Sequence, residues 1–332
     1  MEINVLYATD NNYLHHAAAS IYSLLDNNKD IDRINLYIID DKISDENKQK
    51  LEQMIKSFGN RTITFYPFEK LQTKLELNDK SGFAPIGYAR LFISDITDSD
   101  KILYLDCDTI VNNSIKDLWT TDISEYYFAG VQDNPSLFAA KIVGMTEDDR
   151  YINSGMMLIN LKKWKEENVE KRIIDMIHEY RGFVPHHDQG IVNGICKGKI
   201  LILPPKYNTM SQFFLFSAKQ IKDIYKMNNY YSEHDIAEAK SNPVIIHYLC
   251  KFFNRPWFVN STHPLKNLYI DYAKKTPFGV KLLNGKLKKS VVARKFVYET
   301  MPFPIYKYLE RFLDAKRRKN LKKQYDFLSI DF

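Results

Sequence analysis

The chain has 332 residues, 45% hydrophobic and 27% charged, an ordinary balance for a globular protein and enough length for one large core with appendages. Three widely spaced cysteines, Cys107, Cys196 and Cys250, exclude a disulfide framework or a cysteine metal cluster and fit a reducing cytosol. The net charge of +6 is uneven: between Lys281 and Gln324 fourteen Lys/Arg face three Asp/Glu, a local balance of +11 that leaves the remainder near −5.

The first twenty residues lack the basic-then-apolar layout of a signal peptide, and no run of eighteen apolar residues occurs. Ile3–Ala8 reads as a buried strand ending at Thr9-Asp10-Asn11-Asn12. Tyr13 to Leu25 follows a helical pattern. A second strand, Ile34–Ile39, precedes a helix that Ser44 can cap and that runs to about Phe58. Thr62–Tyr66 makes a third strand. This alternation predicts a parallel sheet with helices on both faces.

After a polar stretch from Gln72 to Gly82, a helix is expected to open at Pro85 and carry Arg90. Lys101–Leu105 is a buried strand that runs directly into Asp106-Cys107-Asp108. Phe128–Val131 and Met156–Asn160 read as further strands, the second preceded by Asn153-Ser154-Gly155. One long helix is expected from Lys163 to Tyr180, and the loop His186–Gly190 should lead into a short helix through Cys196. The division expected is a domain over residues 1–276 and a basic, aromatic helical tail over 277–332.

In parallel α/β sheets ligands gather at the carboxyl ends of strands. Asp10, Asp106 and Asp108 all follow predicted strands, so they can share one rim. Two carboxylates at i and i+2 can hold a hard divalent cation that bridges a diphosphate, although solvated loop acids are the competing reading. His247, after the apolar, strand-like run Pro243–Ile246, can add an imidazole ligand, or serve as a hydrogen-bonded structural residue. The first loop, Ala8–Tyr13, has no glycine, which argues against a dinucleotide-binding dehydrogenase.

Taken in order, six segments resemble the family 8 glycosyltransferases, which are retaining hexosyltransferases with a GT-A fold and include bacterial lipooligosaccharide galactosyltransferases. They are Asn4–Asp10, Tyr88–Leu91, Leu103–Asp108, Asn153–Trp164, Asp188-Gln189, and His247-Tyr248 ahead of Pro256-Trp257. The resemblance implies an α/β, GT-A-type fold with a mainly parallel central sheet and a basic helical C-terminal appendage. Ala8, Asp10 and Asn12 would contact the uridine of a UDP-sugar. Asp106, Asp108 and His247 would hold Mn²⁺, with Mg²⁺ as the alternative. Arg90, Asn153, Ser154, Gly155, Asp188 and Gln189 would surround the donor sugar, and Asp133 would lie near the acceptor.

The loop after His247 departs from the family pattern. The usual Gly is absent, the stretch is longer, and Arg255 stands where Lys is expected to meet phosphate, with Lys251 as the other candidate. Gln189 stands where a double displacement needs a carboxylate, so front-face attack is favoured, with Asp188 orienting sugar hydroxyls. The activity implied is transfer of glucose or galactose from UDP-glucose or UDP-galactose to a saccharide acceptor, in cell-surface glycan synthesis. A non-catalytic sugar-nucleotide or protein-binding module is the alternative. The basic segment 281–325 fits docking on an anionic membrane that bears lipid-linked acceptors, or a solvated helical face. This places the chain in the cytoplasm, peripheral on the inner face of the plasma membrane; nucleic acid is not an expected partner.

Overall fold

A computed structural model describes residues 1–75 and 85–328. Its centre is a seven-stranded sheet of β1 (Glu2–Asp10), β2 (Arg33–Asp41), β3 (Arg61–Pro67), β4 (Lys101–Leu105), β6 (Phe128–Gln132), β7 (Ile152–Asn160) and β8 (Ile200–Ile202). The remaining strands, β5 (Thr109–Val111), β9 (Thr209–Met210) and β10 (Ile245–His247), form a separate small sheet. Strand order in the large sheet is β3-β2-β1-β4-β7-β6-β8. Pairing is parallel throughout except at β7, which runs antiparallel to both β4 and β6.

The strands are apolar on both faces because both faces are covered. Val5, Tyr7, Leu103 and Leu105 enter one core cluster, while their chain neighbours Leu6, Ile102 and Tyr104 enter the other. Chain order reverses across the β1–β4 pair, so a crevice opens at the carboxyl ends of these two strands. Asp10 closes β1 there, and Asp106 follows β4.

Several elements differ from the pattern read in the sequence. The expected helix over Lys163–Tyr180 is two, Leu161–Glu166 and Val169–Glu179, separated at Asn168, whose φ of 48° no right-handed helix can contain. Asn160 caps the first by accepting from the Lys163 amide at 3.0 Å. The turn at Pro85 is a 3₁₀ helix, Pro85–Leu91. Asn153-Ser154-Gly155 lies within β7 rather than before it. The polar stretch after Gln72 begins in a helix, Phe68–Leu75, and its remainder lies outside the described residues. Ser44 caps Asp45–Lys56 as expected.

The basic C-terminal segment folds as helices Lys289–Thr300 and Phe303–Gln324. The second is pinned to the body at both ends. Tyr306 is buried in one core cluster and stacks near Phe216, with ring centroids 5.7 Å apart. Just beyond the helix, Tyr325 is buried in the other cluster and meets Tyr180 at 6.3 Å. Among the described residues no helix is long and apolar enough to cross a membrane.

Candidate active site

Asp106 and Asp108 are brought to His247 by two different pairings. β7 lies against β4, and the Asp106 amide donates to the Gly155 carbonyl at 2.8 Å. β5 begins immediately after Asp108 and pairs antiparallel with β10, which sets His247 opposite Thr109; the Tyr248 amide then donates to the Asp108 carbonyl at 3.0 Å. One ligand atom from each of Asp106, Asp108 and His247 thus falls within 4.8 Å of the other two. His247 Nε2 lies 3.2 Å from Asp108 Oδ1 and 3.8 Å from Asp106 Oδ2.

The neighbours of this cluster suit a divalent cation. A Cβ built on Gly155 would lie 2.2 Å from His247 Cε1 and 2.7 Å from Asp106 Oδ2, so only glycine lets the two ligands close over the β7 backbone. Asn208 fixes the imidazole. Its amide donates to Asn153 Oδ1 at 3.0 Å, which turns its own oxygen toward His247 Nδ1 at 3.1 Å. That assignment protonates Nδ1 and directs Nε2 at the carboxylates, the orientation a ligating histidine needs. Two carboxylates and an imidazole are a donor set for Mn²⁺ or a similar ion.

Protein charges also surround these groups. Arg90 Nη1 sits 2.8 Å from Asp106 Oδ1, and its Nε is 3.4 Å from Asp188 Oδ2. The Tyr104 hydroxyl donates to Asp106 Oδ1 at 2.6 Å. Arg255 Nη1 meets Asp108 Oδ2 at 2.5 Å and also donates to the Tyr13 hydroxyl at 3.0 Å. Burial opposes charge on Asp108, yet Arg255 and His247 hold its carboxyl well below the usual range. Burial likewise opposes charge on His247, but the facing Asp108 and Asp106 outweigh it and push the imidazole pKa up. Cys107 has a different environment: its thiol is buried, donates to the Ala8 carbonyl at 3.3 Å, and is pushed far up by burial and then by Asp106.

A second network adjoins the first. Gln189 Oε1 accepts from Asn153 Nδ2 at 3.1 Å and from the Ser154 amide at 3.2 Å, and Gln189 Nε2 donates to Asp133 Oδ2 at 3.1 Å. Ser154 Oγ donates to Asp188 Oδ2 at 2.9 Å. Asp188 is buried, which raises its carboxyl pKa despite Arg90. It lies in the first turn of helix His187–Ile195, which His186 enters with a φ of 59°. Both networks open into a cavity of 960 Å³.

Of the residues singled out in the sequence, Arg90, Asp106, Asn153, Ser154, Gly155, Asp188, Gln189, His247 and Arg255 line that cavity, and so does Asp133. Asp108 stands behind, between His247 and Arg255. Ala8, Asp10 and Asn12 are not among the lining residues. They sit on the rim where β1 ends, and Tyr13, whose amide donates to Asp10 Oδ1 at 2.7 Å, links that rim to Arg255. Sequence reasoning missed Asn208 and the Tyr13 and Tyr104 hydroxyls. Asn208 has no local signal, since Tyr207-Asn208-Thr209-Met210 mixes polar and apolar residues evenly.

A mainly parallel sheet that carries two carboxylates and an imidazole at strand ends, beside a roomy cleft, has the layout of a GT-A glycosyltransferase. The description "Glycosyl transferase family 8" matches residues 4–260, and the chain belongs to that family. It is 28% identical over 283 residues to General stress protein A of Bacillus subtilis, spanning 82% of this chain and 94% of the relative. It is 29% identical to a lipopolysaccharide 1,2-glucosyltransferase of Escherichia coli, over 63% of this chain and 62% of the relative. The galactosyltransferase LgtC, solved with donor and acceptor sugar analogues, shares the fold at a TM-score of 0.67 and 22% identity, covering 88% of this chain and 99% of that one.

Proposed function

We propose that this glycosyltransferase moves glucose or galactose from a UDP-sugar to a saccharide acceptor, with retention of anomeric configuration, in the assembly of a cell-surface glycan. The observation that carries the reading is the Asp106–Asp108–His247 cluster opening into the same cavity as Asn153, Asp188 and Gln189. The hexose and the glycan context rest on the glucosyltransferase among the relatives.

Asp106, Asp108 and His247 would hold a divalent cation, Mn²⁺ in preference to Mg²⁺ because an imidazole is among the ligands. Bound there, such an ion offsets negative charge that develops on the departing diphosphate. Arg255 is the protein's own phosphate contact. Its guanidinium fork, beside Asp108 at the edge of the cluster, would donate to the phosphate oxygens of a bound diphosphate. Ala8, Asp10 and Asn12 hold the uridine on the β1 rim. Arg90 stays below the sugar, tying Asp106 to Asp188.

Breaking the anomeric C–O bond leaves an oxocarbenium-like sugar. Gln189 is a poor nucleophile, and its carboxamide is engaged at both ends by Asn153, Ser154 and Asp133, which supports a positioning role. The acceptor hydroxyl therefore attacks on the face UDP leaves, and its proton passes to the departing phosphate oxygen. Asp188, held by Ser154 and Arg90, orients the sugar hydroxyls.

The helices after Lys289 also support docking on an anionic membrane. Val292, Phe296, Met301, Ile305, Tyr308 and Phe312 are all exposed, at 45–74% of their surface, in a segment rich in Lys and Arg. Catalysis and donor choice are tested by UDP release from a panel of nucleotide sugars with Mn²⁺ present. Slow hydrolysis of UDP-glucose or UDP-galactose is the expected result. No release from any UDP-sugar, together with no binding, would favour a non-catalytic module.

A further inference from the structure

The cavity does not end at the sugar-facing network. Its outer half runs beneath helix Phe303–Gln324, which spans it as a wall between the buried anchors Tyr306 and Tyr325. Arg311, Asp314, Arg318 and Leu321 line the cavity at the three- to four-residue spacing of one helix face, and Arg317 lines it beside them. Lys226 and Lys251 come from other segments to the same space.

The charge of this outer half is lopsided. Apart from Lys141, which pairs with Glu147, five cations, Lys226, Lys251, Arg311, Arg317 and Arg318, line it with two carboxylates, Glu310 and Asp314. Glu310 is already held by Arg294 in a fork of 2.7 and 2.6 Å. Asp314 is half-buried with Arg317 beside it. Arg311 donates one N–H to the Asp223 carbonyl at 2.5 Å, while its Nε is buried with no hydrogen-bond partner among the described residues. Lys251 donates to the Tyr225 hydroxyl at 3.1 Å. Neutral sugar hydroxyls do not call for such a surplus of cations. A dianion with several acceptor oxygens does, because two guanidinium forks and an ammonium can share it.

We propose that the acceptor glycan carries a phosphate, seated against Arg311, Arg317 and Lys251 while its attacking hydroxyl reaches the inner half of the cavity. The proposal rests on the reading that the inner half holds the donor sugar. On this view the basic helix reads the acceptor with its inner face, besides whatever its outer face meets.

Calorimetry in the presence of Mn²⁺ and UDP tests it with four probes: a neutral disaccharide, its 6-phosphate, the matching uronic acid and inorganic phosphate. The phosphorylated disaccharide should bind at least roughly tenfold more tightly than the neutral one, with the uronic acid between them. Arg317→Gln, an exposed position where folding is not at stake, and Lys251→Gln should each shrink that ratio several-fold. Equal binding of neutral and phosphorylated sugars, or of none, would overturn the proposal. So would inorganic phosphate matching the phosphosugar, since the wall would then read an ion and not a glycan. UDP release by the wild-type chain without acceptor is measured alongside. If release fails while the phosphate preference stands, the donor reading has failed and the acceptor inference has not.

Discussion

The Asp106–Asp108–His247 cluster leaves no room for a methyl group at Gly155. A Cβ there would fall 2.2 Å from His247 Cε1, within the core of a buried ring that Asn208 already holds in place. Gly155→Ala should therefore lower Mn²⁺ affinity at least roughly tenfold, the scale seen when ligand orientation is lost. Direct titration with Mn²⁺, with circular dichroism to show the sheet intact, checks this; wild-type affinity would mean the cluster is not the binding site. At this scale the sequence was legible in part. Asp106 and Asp108 stand out because they follow an unbroken apolar strand. His247 was read as a candidate ligand, but the β5–β10 pairing that brings it to the carboxylates joins residues far apart in the chain and leaves no local pattern. Arg255 was read as a candidate phosphate contact, whereas its pairing with Asp108 was not read.

Among the elements, helix Phe303–Gln324 has the most to distinguish its faces. One carries Tyr306 and Glu310 into the body, another lines the cavity, and Ile305, Tyr308 and Phe312 look outward at the i, i+3 and i+7 spacing of a single stripe. If that stripe docks on lipid, flotation with vesicles containing anionic phospholipid should recover the wild-type chain. Tyr308→Ser/Phe312→Ser should lose most of that binding, and so should 0.5 M salt, an ionic strength at which surface attraction is screened within roughly 4–5 Å. A double variant that floats as well as the wild type would remove the stripe from any docking role. Charge and amphipathicity of this helix could be read from sequence. That Tyr306 and Tyr325 bury themselves in two different cores could not, because aromatic residues in a basic segment suit burial and exposure alike. Of the small sheet, only β10 showed, as the strand-like run Pro243–Ile246; β5 and β9, of three and two residues, are too short to show a period.

For the whole molecule, two buried histidines, His16 and His263, weaken the fold toward acid, against an opposite contribution from His247, whose pKa is raised. Burial lowers His263 to about 4, and burial with His15 nearby lowers His16 to about 2. His263 is enclosed by the rings of Phe214, Tyr248 and Phe253, and its Nε2 has no partner among the described residues. Both groups keep less proton affinity in the folded chain than in the unfolded one, where they titrate near 6.5. The unfolded state then binds more protons below that pH. Stability should be full above about 6.5 and fall as pH drops toward 4, by up to about 1.4 kcal/mol per pH unit for each histidine. Urea midpoints at pH 7, 6 and 5 should show the decline, and His263→Gln should flatten it. An unchanged slope in that variant would assign the effect elsewhere.

The same whole-molecule view joins β4, β7 and β10 in one purpose: three strands, from two sheets, converge to put Asp106, Gly155 and His247 at the mouth of a cavity that can take a sugar. The central claim is that this convergence holds a divalent cation which the nucleotide of the donor requires. Titration of UDP into the chain, with Mn²⁺ and then with chelator, tests it most directly. Binding should be at least roughly tenfold tighter with Mn²⁺, and Asp108→Asn should abolish that difference. UDP that binds equally well with chelator, or a variant that keeps the full Mn²⁺ effect, would contradict the account.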